Sequence, residues 1–195
     1  MASQNVEGAL GTGAGSSDRV AFTGAFVQSI PIEIPPGING VEPLLALTYN
    51  SGGGNTWLGM GWDLSLGSIQ RSTKSGAPKY TNEDVFVFSG AGSSLELVPA
   101  DAGVVNYRPK TEGSFQRFVR EGNGWSVYDK QGGKATFGAS AAGRTGPDAG
   151  RTFLWALEKY VDRNGNWFTV SYATHGGQLY PDILLYTGHD STGRA

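Results

Sequence analysis

The chain has 195 residues, Lys+Arg 15 against Asp+Glu 17, and a formal net charge of −2 at pH 7. That balance carries no basic footprint for nucleic acid or an anionic membrane surface. With Cys 0, a disulfide scaffold, a thiolate metal site and a cysteine nucleophile are excluded. Charged residues make up only 16% while Gly 31, Trp 5, Tyr 8 and Phe 9 are abundant. This combination points to an all-β protein of short antiparallel strands with many turns and little helix. The length suits one domain or a piece of a larger one. No apolar run approaches the ~18 residues of a membrane span. The opening residues lack the basic and apolar regions of a signal peptide.

Residues 1–20 are rich in Gly, Ala and Ser and aperiodic, and read as a flexible lead-in to a β domain over 21–195. Residues 26–34 alternate, with Phe26, Ile30, Ile32 and Ile34 on one face, which predicts a half-buried strand. Pro31 cannot donate to a ladder, so this strand lies at an edge or carries a bulge there. After Pro35-Pro36-Gly37, the pair Asn39-Gly40 supplies the positive φ of a tight turn.

Residues 43–50 are apolar on both faces and read as a covered strand. Residues 57–66 follow a Gly-rich turn. Gly59 and Gly61 share one face, where a backbone or ring can approach closely; Trp62, Leu64 and Leu66 share the other. Short strands are predicted at 85–88, 95–98, 104–107, 115–119, 125–128 and 135–137, each bounded by Gly, Pro, Asn or Asp. Such spacing suggests a meander, sandwich or barrel. Residues 138–150 read as a loop. Residues 153–161 fit period two and a helical stripe equally, but nine residues are short for a helix. The turn Asp162-Arg163-Asn164-Gly165-Asn166 and the alternation of 167–172 favour a hairpin.

One string recurs at an offset of 33: Asp129 to Phe137 matches Asp162 to Val170 in the pattern D-x-x-G-[GN]-x-x-T-[FV]. Each copy reads as a tight Asp/Gly turn and a returning strand, with Tyr128 or Tyr160 just ahead of the turn. Any two hairpins share turn chemistry, so sequence alone leaves a structural repeat and a coincidence equally open.

The signatures of catalysis are missing. His175 and His189 are the two histidines, both beside Gly-rich turns and without metal-binding or triad spacing. G-x-S-x-G, G-x-G-x-x-G and Walker strings do not occur. Asp162, Asn164 and Asn166 have calcium-loop spacing, but Trp167 and Ala173 stand where Gly and Glu are required. A side-chain-stabilised turn is the better reading. Glu83-Asp84 are neighbours in a loop rather than an acid/base pair. Trp57, Trp62, Trp125, Trp155 and Trp167 could form a sugar platform, but each lies in a strand pattern with apolar partners, so packing is expected. No catalytic, cofactor-binding or metal-ligating residue is assigned, and no cofactor is expected.

Two longer strings carry a resemblance. Ser29 to Gly37 followed by Pro43 to Ser51, and Trp57-Leu58-Gly59-Met60-Gly61-Trp62-Asp63-Leu64 with Ile69 and Arg71 after it, are similar to the SpvB amino-terminal family. Tyr160 to Asn166 and Tyr186-Thr187-Gly188-His189 resemble it too, the former being similar to the Tyr-Asp repeat of Rhs proteins. The resemblance spans residues 24–190. It implies the first part of a β-rich shell, as at the front of SpvB-type virulence proteins and of the B component of insecticidal toxin complexes. The actin-modifying transferase at the other end of SpvB-type chains needs an Arg, a Ser-Thr-Ser strand and Glu-x-Glu. Here Arg71-Ser72-Thr73 is followed by Lys74, and Glu-x-Glu is absent.

The expected function is therefore a non-enzymatic structural segment of a secreted toxin or Rhs-like protein, part of a β-shell that encloses or delivers a toxic carboxy-terminal payload. Its expected partners are the remainder of its own parent chain and other toxin-complex subunits, not nucleic acid, with no membrane span. The expected route is export from a bacterium without a visible cleavable signal. The alternative is a carbohydrate- or surface-binding β module that uses exposed tryptophans. An enzyme built from scattered carboxylates would instead show a cleft with two convergent acids.

Overall fold

A computed structural model describes residues 16–19, 24–64, 66–90, 93–103, 105–113, 115–148 and 150–190, with Ser16–Arg19 and Ser93 described by backbone alone. The lead-in expected at 1–20 lies outside these residues except for Ser16–Arg19. The chain forms two compact units, one of residues up to 33 with 46–64, the other of 34–45 with the chain from 65 onward.

The first unit is a small antiparallel sheet. Its strands β1 (Ser16–Arg19), β2 (Phe26–Pro31), β3 (Ala46–Asn50) and β6 (Trp62–Asp63) lie in that order, and β4 (Asn55–Thr56) pairs with β5 (Gly59–Met60) as a separate ribbon. Among the described residues β1 pairs no further than Ser29, so the missing N–H of Pro31 breaks none of its bonds. Three expectations change here. The alternating segment stops at Pro31 rather than 34, and its apolar face is open, with Phe26 at 39%, Ile30 at 37% and Ile32 at 38% exposure. The strand expected at 43–50 begins at Ala46 and is half-buried, while Leu44 is 82% exposed. So few short strands cannot enclose a core. Residues 57–66 are broken into β5 and β6, because Gly59 (φ 105) and Gly61 (φ 75) turn the backbone. The close approach expected there is made at Gly61, where a Cβ would lie 2.9 Å from the Tyr49 ring.

The second unit is a closed barrel. β7 (Ser68–Arg71), β8 (Phe86–Gly90), β9 (Ser93–Pro99), β10 (Asn106–Pro109), β11 (Arg117–Glu121), β12 (Gly124–Tyr128) and β13 (Lys134–Phe137) form an antiparallel meander. All six predicted strands are present, those at 104–107 and 115–119 shifted to Asn106–Pro109 and Arg117–Glu121. The short β14 (Arg144–Thr145) interrupts the loop expected at 138–150 and pairs with β15 (Leu154–Val161). β15 closes the ring: Leu154–Ala156 pair with β7, and Leu157 to Val161 pair with β13. Closure removes the edges of an open sheet. The ambiguous 153–161 is thus a strand, its period-two residues Trp155 and Leu157 facing the core. From its far end β16 (Asn166–His175) and β17 (Gln178–His189) extend as a long hairpin, with β17 last in the order.

The barrel is filled rather than hollow along most of its length. Ile69, Phe118 and Trp155 are completely buried, and Phe86, Trp125 and Leu97 nearly so. Each comes from an inward position of a different strand, as period two requires. Among the described residues the sole helical element is a 3-10 turn at Ile38–Gly40, where Asn39 (φ 56) and Gly40 (φ 73) supply the predicted positive φ. No helix there is long and apolar enough to cross a membrane.

Candidate functional site

The two ends of the barrel differ in chemistry. At one end two arginines occupy inward strand positions. Arg71 follows Ile69 at period two on β7, and Arg120 follows Phe118 on β11. The Arg71 side chain is buried, and its ion pair with Asp84 measures 2.6 Å at 7% and 9% side-chain exposure. Arg71 Nε also donates to the Thr152 carbonyl at 2.9 Å, and Nη1 to that of Thr81 at 3.0 Å. Asp84 accepts further bonds from the N–H of Lys79 (3.0 Å) and Tyr80 (2.7 Å). Burial pushes its carboxyl up, but these N–H groups and Arg71 outweigh that and hold it below the usual carboxylate range. The loop before β8 is thereby pinned across this end of the barrel.

Aromatic rings surround both cations. Phe86, Tyr107, Trp125 and Trp155 meet edge to face, with the Trp125 and Trp155 centroids 6.0 Å apart at 80°. The Arg71 guanidinium carbon stands 5.1 Å from the Phe86 centroid, and that of Arg120 4.9 Å from Trp155, within cation–π range. Trp155 Nε1 donates to the Asn123 carbonyl at 2.7 Å. Burial lowers the Arg120 pKa, and the charge of Arg71 adds to the effect.

The other end is an apolar cavity of about 260 Å³, walled by Phe88, Leu95, Val127, Phe137, Leu157 and Phe168, with Asp129 and Tyr160 among its polar lining residues. Tyr160 links the two recurring turns. In the first turn Asp129 Oδ1 accepts the N–H of Gln131 (2.9 Å) and Gly133 (2.8 Å). In the second, Asp162 Oδ1 accepts those of Asn164 (2.7 Å) and Asn166 (2.9 Å). The backbone bonds match as well, Gly132 to Asp129 and Gly165 to Asp162, both at 3.2 Å. The repeat is therefore a repeat of structure. Tyr160, just ahead of the second turn, donates to Asp129 Oδ2 of the first at 3.0 Å. Gly133 makes room, since a Cβ there would lie 2.3 Å from that hydroxyl.

The residues weighed from sequence do not converge. His175 and His189 lie at opposite ends of the β16–β17 hairpin, both exposed. Asp162, Asn164 and Asn166 build the turn just described, and no group of three metal-ligating side chains occurs among the described residues. Glu83 is exposed while Asp84 is half-buried, its carboxylate paired with Arg71. Trp125 and Trp155 are core residues; Trp57, Trp62 and Trp167 are half-buried. The exposed, coplanar array of a sugar platform is not formed by these tryptophans. The inward arginines went unassigned. Their signal was a charged residue in phase with an apolar period-two row.

Comparison with known proteins gives consistent matches. The family model described as Salmonella virulence plasmid 65kDa B protein, SpvB, matches residues 20–183. The mono(ADP-ribosyl)transferase SpvB of Salmonella choleraesuis (strain SC-B67) is 31% identical over 179 residues, covering 77% of this chain and 30% of the relative. That of Salmonella typhimurium is 30% identical with the same coverage. The chain thus spans under a third of the length of these relatives. Among solved structures, the N-terminal domain of effector protein SpvB from Salmonella typhimurium strain LT2 aligns with TM-score 0.66 and 27% identity, over 80% of this chain and 63% of that one. The TcdB2-TccC3 crystal structure shares the fold, with TM-score 0.75 and 24% identity over 94% of this chain and 11% of that one.

Proposed function

The chain belongs to the Salmonella virulence plasmid 65kDa B protein family, and from that premise we propose that it is a non-enzymatic structural segment of a toxin chain, the first part of a β-shell around a carboxy-terminal payload. The observation that carries this reading is the β16–β17 hairpin. A barrel that served only itself would end at closure. Here β15 also pairs with β16, and β17 carries the sheet beyond the ring to a strand with one free side among the described residues. Exposed Ile183 (54%) and Leu185 (56%) alternate along it with the half-buried Leu184 and Tyr186. Such an edge pairs with further strands. The alignment with a small part of a much longer toxin chain supports the same reading.

In this reading the partners are the rest of the parent chain and other toxin-complex subunits, and the protein acts outside the bacterium that makes it. The domain over 21–195 contributes burial and strand pairing, not bond chemistry, and needs neither cofactor nor metal. The test incubates the purified chain with the separately expressed remainder of its parent, and in parallel with NAD and actin. Association with the parent chain, abolished by a proline in the outer edge of β17, is the expected result. Labelled actin from this chain alone overturns the reading.

A further inference from the structure

The arginine end of the barrel holds a cation that makes no ion pair among the described residues. Arg120 enters the interior on β11, and its guanidinium carbon stands 4.9 Å from the Trp155 ring, 5.2 Å from Trp125 and 5.3 Å from Phe86. Those three rings offer π-faces but no oxygen, and Tyr107 stands near enough to interact electrostatically with the guanidinium. Even so, its five N–H donors make no hydrogen bond to a side chain among the described residues. The neighbouring carboxylate, Asp84, is committed to Arg71 and to two backbone N–H groups. A second donor stands beside it: Trp125 is 1% exposed, yet its Nε1 is buried without a hydrogen-bond partner among the described residues. Buried donors in native proteins are almost always satisfied, and Arg120 is only half-buried, so part of it is open to an incoming group.

We propose that this end of the barrel is an oxyanion site that takes a carboxylate, with Arg120 as its anchor. One guanidinium presents a planar two-pronged fork that matches the two oxygens of a carboxylate. A tetrahedral dianion would call for a second cation, and Arg71 is already neutralised by Asp84. The surrounding aromatic faces hold the Arg120 plane in place, which lowers the entropy cost of binding. The carboxylate can arrive as a free small acid or as an Asp or Glu side chain of another segment; both present the same group to the same fork.

The test titrates acetate into the purified chain against sodium chloride at matched ionic strength, reading tryptophan fluorescence and melting temperature together. A blocked aspartyl peptide forms a second arm. A saturable, carboxylate-dependent shift is expected, because Trp125 and Trp155 flank the anchor. Arg120→Gln should abolish it. Arg120→Lys keeps the charge but loses the fork, and should weaken binding by roughly tenfold or more; it decides the matter if the Gln variant fails to fold. Saturation by the peptide at lower concentration than acetate assigns the site to an acidic side chain, and the reverse order assigns it to a small acid. A response equal to that of chloride, no saturable response, or one that survives the loss of Arg120 overturns the proposal.

Discussion

The barrel and the small sheet are built from the same local pattern, yet they solve burial differently. In the barrel, alternation places one face of every strand inside a closed ring, so Trp155 and Phe118 reach 0% exposure. In the sheet of β1, β2, β3 and β6, the same alternation leaves Phe26 and Ile30 more than a third exposed. Strand pattern therefore sets which face is apolar, and topology decides whether that face is covered. An amphipathic strand in an unclosed sheet is an unfinished interface.

The largest test of this contrast replaces one tryptophan in each unit. Trp155→Ala removes a fully buried indole that contacts Phe86 and Trp125 and bonds to Asn123. It should cost about 3–5 kcal/mol. Trp62→Ala removes a half-buried ring whose described aromatic partner is Tyr49 at 5.2 Å. It should cost only about 1–2 kcal/mol, since the transfer loss scales with the area covered. Urea denaturation of both variants measures the gap, and equal losses would break the comparison.

Next in size is the ion pair that pins the loop before β8. Asp84→Asn leaves the buried Arg71 charge uncompensated, at a cost of about 3 kcal/mol or more. The pH dependence fixes its origin. The Asp84 carboxyl titrates below its usual 3.8 in the folded chain. Its contribution is therefore complete above that value and is lost as pH falls through the lower, folded value. The gap in urea midpoint between wild type and Asp84→Asn should be wide at about pH 6 and narrow toward about pH 3. A gap that stays constant would mean that the loop, not the charge, carries the effect.

The sequence revealed the strands whose inward residues are all apolar: those predicted at 85–88, 95–98, 125–128 and 135–137 are present because no polar residue falls in their inward row. It concealed the arginines for the same reason. A reading that sends charge outward cannot place Arg71 and Arg120 inside, although each sits two residues after a buried apolar one. β17 was missed because Pro181 interrupts it and the pairing partner that tolerates the proline is set by a register shift between Val170 and Tyr172. Closure was beyond reach as well, since it depends on Leu154 meeting Gln70 and Leu157 meeting Phe137. The Asp turns were legible because their bonds run between residues two to four apart.

A smaller effect is expected at the link between those turns. Tyr160→Phe deletes the bond to Asp129 and should cost about 1–2 kcal/mol. Burial, with Asp129 adding to it, pushes the Tyr160 hydroxyl from 10.0 up to about 12. A raised pKa means that the stabilisation is whole below pH 10.0 and fades as pH rises toward about 12. Wild type should lose its advantage over Tyr160→Phe across that interval in thermal melts, and an advantage unchanged by pH would assign the effect to packing alone.

The smallest effect returns to the open sheet. Met60 is 70% exposed on β5, so Met60→Ser forfeits almost no burial within its unit and should change stability by less than about 0.5 kcal/mol. The contrast is Leu97→Ala in the barrel, where a side chain at 2% exposure should cost about 2–5 kcal/mol. The measurement is the melting temperature of each variant at low and high protein concentration. If the exposed positions of the sheet remain in water, the Met60→Ser melt matches wild type at both. If they meet a surface of another copy, the serine lowers the melt at high concentration alone, because only an associated state loses burial there. The first outcome keeps the sheet an open face; the second would show that copies of this segment cover one another, and the contrast between the two units would then belong to the isolated chain alone.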